Sequence, residues 1–233
     1  MDDIDIPAID SMRLRHDLDA EGYATHPLLP PDACDRLVAL YDDGSLFRKR
    51  IIMEQHAYGR GEYQYFRYPL PGLVARLREA LYPPLATVAN DWRRLLGSAD
   101  MFPPTLAGYL ERCHEAGQTR PTPLLLRYEA GGFNCLHQDL YGDLVFPLQA
   151  TVLLSEPGRD FAGGEFMLVE QRPRAQSRGA VVPLRQGEAV IFPSHHRPGA
   201  GKRGAYRLTM RHGVATVRSG RRHTLGIIFH DAA

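Results

Sequence analysis

His137 and Asp139 stand two residues apart, a spacing that lets one imidazole and one carboxylate reach the same metal ion. A distant histidine would complete the two-histidine, one-carboxylate face that holds Fe(II) and leaves positions open for oxygen and a co-substrate. By itself, His137-Gln138-Asp139 also reads as a polar turn, so residues elsewhere have to decide.

If the co-substrate is 2-oxoglutarate, it chelates iron at one end and presents a free carboxylate at the other. A buried carboxylate needs a cation, and arginine suits because its planar fork binds both oxygens. His212 and Arg222, ten residues apart, meet both needs. The stretch between them reads as a hairpin turning at Ser219-Gly220-Arg221, with glycine supplying a positive φ. Strand alternation would then put His212 and Arg222 on one face and turn Arg221 and His223 away. A rival pairing stays open: His195 or His196 as the distal ligand, with Arg207 or Arg211 as the anchor.

The elements that must carry these residues divide near residue 120. Residues 122–128, 148–154, 165–169, 180–184, 189–192, 205–217 and 222–229 are rich in Leu, Val, Ile and Phe, punctuated by Gly and Pro, and read as strands. Short strands without intervening helices imply a sandwich or jelly roll. The first half reads as helices. One starts at Pro30-Pro31-Asp32, a second spans 73–96 with a break or kink at Pro83-Pro84, and a third runs from Pro103-Pro104 to about Gly117. The aromatic stretch 60–68 between the first two reads as a strand or lid. The expected fold is α+β: a helical region, residues 1–121, packed on a jelly-roll core, residues 122–233, as one integrated domain.

The order of motifs resembles the Fe(II)/2-oxoglutarate dioxygenase superfamily, whose core is a double-stranded β-helix. The matching elements are Arg127-Tyr128 with Gly131-Gly132, His137-Gln138-Asp139, Gly163-Gly164-Glu165-Phe166, the strand from Gly187 to Phe192, and His212 with Arg222. The Gly-Gly-Glu-Phe strand and the His-to-Arg interval are typical of the prolyl-hydroxylase-like branch. Tyr128 is similar to the tyrosine that helps bind 2-oxoglutarate in AlkB-like nucleic-acid demethylases, although their asparagine two residues earlier is Leu126 here. The whole chain also resembles a bacterial oxygenase family proposed to act on damaged DNA. The resemblance implies Fe(II) held by His137, Asp139 and His212, 2-oxoglutarate held by Arg222 and Tyr128, and O2 as the second co-substrate. Activity would be C–H hydroxylation with release of succinate and CO2. The alternatives are an AlkB-like demethylase of alkylated bases and a non-catalytic jelly-roll binding or sensor protein.

Composition bounds the partners. The 233 residues carry a net charge of +1 and 24% charged side chains, which does not favour a broad electrostatic grip on nucleic acid. A small molecule, a peptide or a modified nucleobase all remain open as substrate. No apolar run has the length needed to span a bilayer, and the start MDDIDIPAID is acidic where a secretory signal would be basic. The expectation is a cytoplasmic protein. Cys34, Cys113 and Cys135 are odd in number and form no CxxC pair, so a disulfide framework or zinc knuckle is not expected.

Overall fold

The computed structural model describes residues 4–201 and 204–233. Met1 to Asp3 of the acidic start, and Lys202, lie outside the described residues. Among the described residues the α-helices are α1 (Ser11–Ala20), α2 (Pro31–Ala39), α3 (Gly72–Leu95) and α4 (Leu106–Glu115). The strands are β1 (Ala24–Pro27), β2 (Phe47–Ile52), β3 (Gly59–Arg60), β4 (Glu62–Phe66), β5 (Leu124–Glu129), β6 (Phe133–His137) and β7 (Leu148–Leu153). They continue with β8 (Phe161–Gly163), β9 (Phe166–Gln171), β10 (Arg178–Val182), β11 (Glu188–Pro193), β12 (His196–Gly201), β13 (Gly204–Val214) and β14 (Val217–Ile227).

The strands form two antiparallel sheets. The larger runs β1-β11-β7-β14-β5-β4-β2, with β8 on one end of β14; the smaller runs β10-β9-β13-β6-β3, with β12 on β13. This is the expected jelly roll with helices on one sheet. Period-two alternation explains the layering. On the larger sheet, Leu125, Ala150, Val152, Ile191, Leu225 and Ile227 share one apolar cluster with α3 residues Leu77, Leu81, Leu85 and Trp92. The alternate residues Leu126, Tyr128, Gln149, Thr151, Arg222 and Thr224 line the space between the sheets.

Three expectations are corrected. First, α3 runs unbroken through Pro83 and Pro84. The carbonyls that lose their amide partners belong to Glu79 and Ala80, both exposed, so water can satisfy them, while the buried stripe from Leu73 to Trp92 holds both halves. Second, the first half is not only helical: β1, β2 and β4 extend the larger sheet and β3 the smaller. The stretch expected as a strand or lid is β4, paired with β5 from Glu62↔Arg127 to Tyr65↔Leu124.

Third, His212 and Arg222 do not sit on a hairpin. β13 pairs with β6, β9 and β12, whereas β14 pairs with β5, β7 and β8. The chain crosses from one sheet to the other at residues 215–216, where Ala215 N–H donates to Glu165 C=O and Gly164 N–H to Thr216 C=O. Gly220 is no turn but an irregular point within β14, at φ 75°, where a Cβ would stand 2.0 Å from the Asp160 carbonyl oxygen. Only glycine fits so close a backbone approach.

The far end of β14 is tied to the helical layer. Buried Arg78 of α3 donates to the Ile228 and Phe229 carbonyls and, at 2.8 Å, to Asp231.

Candidate metal centre

His137 ends β6 and pairs directly with His212 of β13, so two adjacent strands of the smaller sheet bring their rings to a centroid separation of 4.2 Å. The chain turns after His137 and carries Asp139 back between them. Asp139 Oδ2 lies 3.2 Å from His212 Nε2, and Oδ1 lies 3.5 Å from His137 Nε2. One ligand atom from each of the three residues falls within 4.8 Å of the others; among the described residues no other group of histidine, cysteine or acidic side chains converges in this way. Gln138 holds the turn by donating to the Met210 carbonyl at 2.8 Å and the His195 carbonyl at 3.4 Å. It therefore ties the turn to neighbouring backbone while lining the cavity.

The surroundings hold His212 and Asp139 in metal-binding form, whereas at His137 burial is outweighed by the hydrogen bond and charge of Asp139, which push it above its ordinary value. His137 Nδ1–H donates to the Cys135 carbonyl at 2.8 Å, which leaves Nε2 free as a donor atom. His212 packs against the rings of Phe166 and Phe192. Burial, reinforced by the charge of His137, pushes His212 below its ordinary value despite the opposing effect of Asp139. Burial alone would raise Asp139, but hydrogen bonds and charge from His137 and His212 outweigh it and hold the carboxyl well below the usual range. An ionised carboxylate beside a neutral imidazole is a donor set ready for a divalent cation.

Arg222 faces the same cavity from the opposite sheet. It is 1% exposed, and its Nε and Nη1 have no hydrogen-bond partner. Its guanidinium lies 5.7 Å from the Tyr128 ring and 5.8 Å from Phe161. Burial pushes it down to about 10, against smaller opposing effects of Tyr128 and Glu165, in keeping with incomplete compensation of the charge. A buried cation left this way is costly unless an anion completes it. Tyr128 is also buried, and its hydroxyl accepts from Asn134 Nδ2 at 3.4 Å. The cavity between the two sheets is about 480 Å³, within the usual range for small-molecule sites.

The rival pairing is not assembled. His195 and His196 lie with tilted rings 3.4 Å apart where β12 begins, and neither joins the converging group. Arg207 and Arg211 are exposed, because strand alternation that turns His212 inward turns Arg211 outward. Arg221 points out to Glu129 at 2.9 Å, and His223 faces the helical layer against Tyr41. Glu165 is beside Arg218 at 3.4 Å. Tyr141 and Gln149 are among the cavity residues that went unread in the sequence. Tyr141 donates to Asp139 at 2.8 Å, and Gln149 carries a buried, unpartnered Nε2. Neither belongs to a motif; only their positions relative to Asp139 and within β7 could have marked them.

A family model described as an oxygenase catalysing oxidative methylation of damaged DNA matches residues 61–232. The chain belongs to this Oxygenase-NA family. Two uncharacterized proteins from strains of Mycobacterium tuberculosis are 47% identical to this Oxygenase-NA member over 191 residues, covering 80% of it and 82% of each relative. Among solved structures, a Pseudomonas putida prolyl-4-hydroxylase covers 96% of the chain and 100% of itself at 17% identity and a TM-score of 0.55. The non-heme alpha-ketoglutarate-dependent epimerase SnoN of nogalamycin biosynthesis covers 93% and 80%, at 18% identity and a TM-score of 0.56. At such identities the likeness is one of fold, the jelly roll of the 2-oxoglutarate oxygenases.

Proposed function

We propose that this Oxygenase-NA protein is an Fe(II)- and 2-oxoglutarate-dependent dioxygenase that hydroxylates a substrate C–H bond. The observation that carries the reading is the pairing of a converging His-Asp-His group with a buried Arg222, whose Nε and Nη1 lack a hydrogen-bond partner, across one cavity. His137, Asp139 and His212 would hold the metal, a donor set of the type used by non-haem iron oxygenases. Arg222 would bind the distal carboxylate of 2-oxoglutarate, with Tyr128 beside it. Bound together, Fe(II) and 2-oxoglutarate supply the oxidising chemistry, in which O2 is reduced as the keto acid loses CO2 to give succinate.

The chain's own residues orient and shield. The carbonyl of Cys135 fixes the His137 tautomer, the Phe166 and Phe192 rings keep water from His212, and the closed floor of the larger sheet dries the anion site around Arg222. Substrate enters at the other end, where Tyr58, Leu136 and Leu140 line the mouth with exposed apolar surface. The family description names damaged DNA; within it an alkylated base is the target this chemistry suits, and Tyr58 offers a ring on which a flipped base can stack. Hydroxylation of an N-methyl group there would release formaldehyde and restore the base. A cytoplasmic setting fits the three unpaired cysteines.

The test is anaerobic titration with Fe(II) and 2-oxoglutarate, followed by the metal-to-ligand charge-transfer band in wild type, Asp139→Ala and Arg222→Ala. The band is expected in wild type and lost in Asp139→Ala; its persistence in Asp139→Ala would overturn the reading. Methylated oligonucleotides, screened against proline peptides and free amino acids, then separate demethylation from other hydroxylations.

A further inference from the structure

Tyr141 lies two residues beyond Asp139 and donates its hydroxyl to Oδ1 at 2.8 Å. The other oxygen, Oδ2, faces His212 Nε2 at 3.2 Å. The two carboxylate oxygens are therefore unequal: Oδ1 takes the phenol at 2.8 Å with His137 Nε2 at 3.5 Å, whereas Oδ2 faces His212 without a phenol. Tyr141 is itself held from behind. Its ring stands edge-on to Tyr65 at 6.2 Å, and Tyr65 stands edge-on to Tyr63 at 5.4 Å. The three phenols neighbour one another in series, Tyr141 beside Tyr65 and Tyr65 beside Tyr63. A phenol has a single proton. Tyr141 commits its proton to the carboxylate, which leaves its oxygen able only to accept, as from the neighbouring Tyr65 hydroxyl. Arg48 clamps the middle ring, its guanidinium 4.7 Å from the Tyr65 centroid.

Tyr63 and Tyr65 belong to β4, a strand of the N-terminal half that pairs with β5. Successive residues of a strand point to opposite faces, yet Tyr63 and Tyr65, two apart, share one face and project toward the cavity end where Asp139 lies. The chain of phenols thus connects a strand outside the motif-bearing half to the carboxylate of the metal group.

We propose that Tyr141 is a positioning residue which, at the end of the Tyr63–Tyr65–Tyr141 chain, occupies Oδ1 of Asp139 and presents Oδ2 alone to the metal. This rests on the iron-site reading above. A carboxylate that bound through both oxygens would take up a position that the co-substrate or oxygen needs. Hydrogen-bond partners of metal ligands tune affinity by roughly 10–100-fold.

Anaerobic Co(II) titration tests this, because the visible d–d bands of Co(II) report coordination number independently of turnover. Tyr141→Phe keeps the ring and removes only the donor. It is expected to keep a cooperative thermal melt, to bind Co(II) about 10–100-fold more weakly, and to change the d–d spectrum. Tyr65→Phe is expected to shift both in the same direction by less. Wild-type affinity and spectrum in Tyr141→Phe would overturn the proposal. Should Tyr141→Phe lose its cooperative melt, Tyr65→Phe carries the test, and an unchanged affinity and spectrum there overturns the chain. Asp139→Ala separates the two readings. If it binds Co(II) as wild type does, the metal site itself is wrong, and this proposal falls with it; if it loses Co(II) while Tyr141→Phe does not, the role of Tyr141 alone is wrong.

Discussion

His212 on β13 of the smaller sheet and Arg222 on β14 of the larger wall one cavity from opposite sides. Ten residues of sequence separate them, yet the chain crosses the whole sandwich in between. The arrangement puts a metal-ligand group and an anion-seeking guanidinium at two ends of one space, which is what a bifunctional acid with a chelating head and a carboxylate tail requires.

Arg222 should therefore cost stability and contribute binding. Its two unpartnered nitrogens are buried, and Arg222→Met keeps the side-chain volume without the charge. Thermal melts without ligand are expected to show Arg222→Met equal to or above wild type, by up to about 1–3 kcal/mol. Titration with 2-oxoglutarate is expected to show affinity reduced about 100-fold or more, from the loss of charge-assisted hydrogen bonds. A variant both less stable and undiminished in 2-oxoglutarate binding would contradict the assignment.

The two histidine assignments separate cleanly. His212→Ala removes a member of the converging group and is expected to abolish the charge-transfer band. His196→Ala, in the tilted pair at the start of β12, is expected to leave band and metal affinity within about twofold of wild type. The reverse pattern would restore the rival pairing.

Gly220 holds the entry to the anchor strand. At φ 75° with the Asp160 carbonyl oxygen 2.0 Å from a would-be Cβ, Gly220→Ala must both strain the backbone and displace it. A loss of at least about 2 kcal/mol is expected from the urea midpoint. Because Arg222 is two residues on, 2-oxoglutarate affinity should fall as well. A wild-type midpoint would show that β14 relaxes there more easily than its contacts imply.

Acid sensitivity should come in part from His223. Burial, with the charges of Arg127 and Arg221, pushes it from 6.5 down to about 4. The folded value is depressed, so the unfolded chain takes up the proton first as pH falls. The stability is full at neutral pH, drops between about 6.5 and 4, and does not change further below that. From pH 7 to pH 5 the loss is on the order of 2 kcal/mol. His223→Phe keeps an aromatic ring beside Tyr41 and is expected to flatten the pH dependence of the melting temperature in that window. Buried His230, likewise pushed down to about 4, should account for a remaining slope, so an unaltered profile in His223→Phe would rule out the assignment.

Read alone, the residues from Leu124 onward declare most of their strands, and the apolar period of α2, α3 and α4 declares those helices. They also declare which side chains share a face: Leu225 and Ile227 on one side of β14, Arg222 and Thr224 on the other. What they could not declare was partnership. Alternation specifies the face a residue presents but not the strand it pairs with, because pairing depends on contacts distant in sequence. Residues 215–216 thus read as part of a hairpin strand and proved to be the crossing between sheets. The strand β6 that carries His137 escaped notice because its residues, exposed or half-buried, show no regular alternation of apolar and polar types. Tyr141, Gln149 and the buried state of His223 were invisible for the same reason: their roles arise from neighbours that only the closed sandwich brings to them. Chemistry of the donor set was written in the residue types; its assembly into one cavity was decided by packing two sheets face to face.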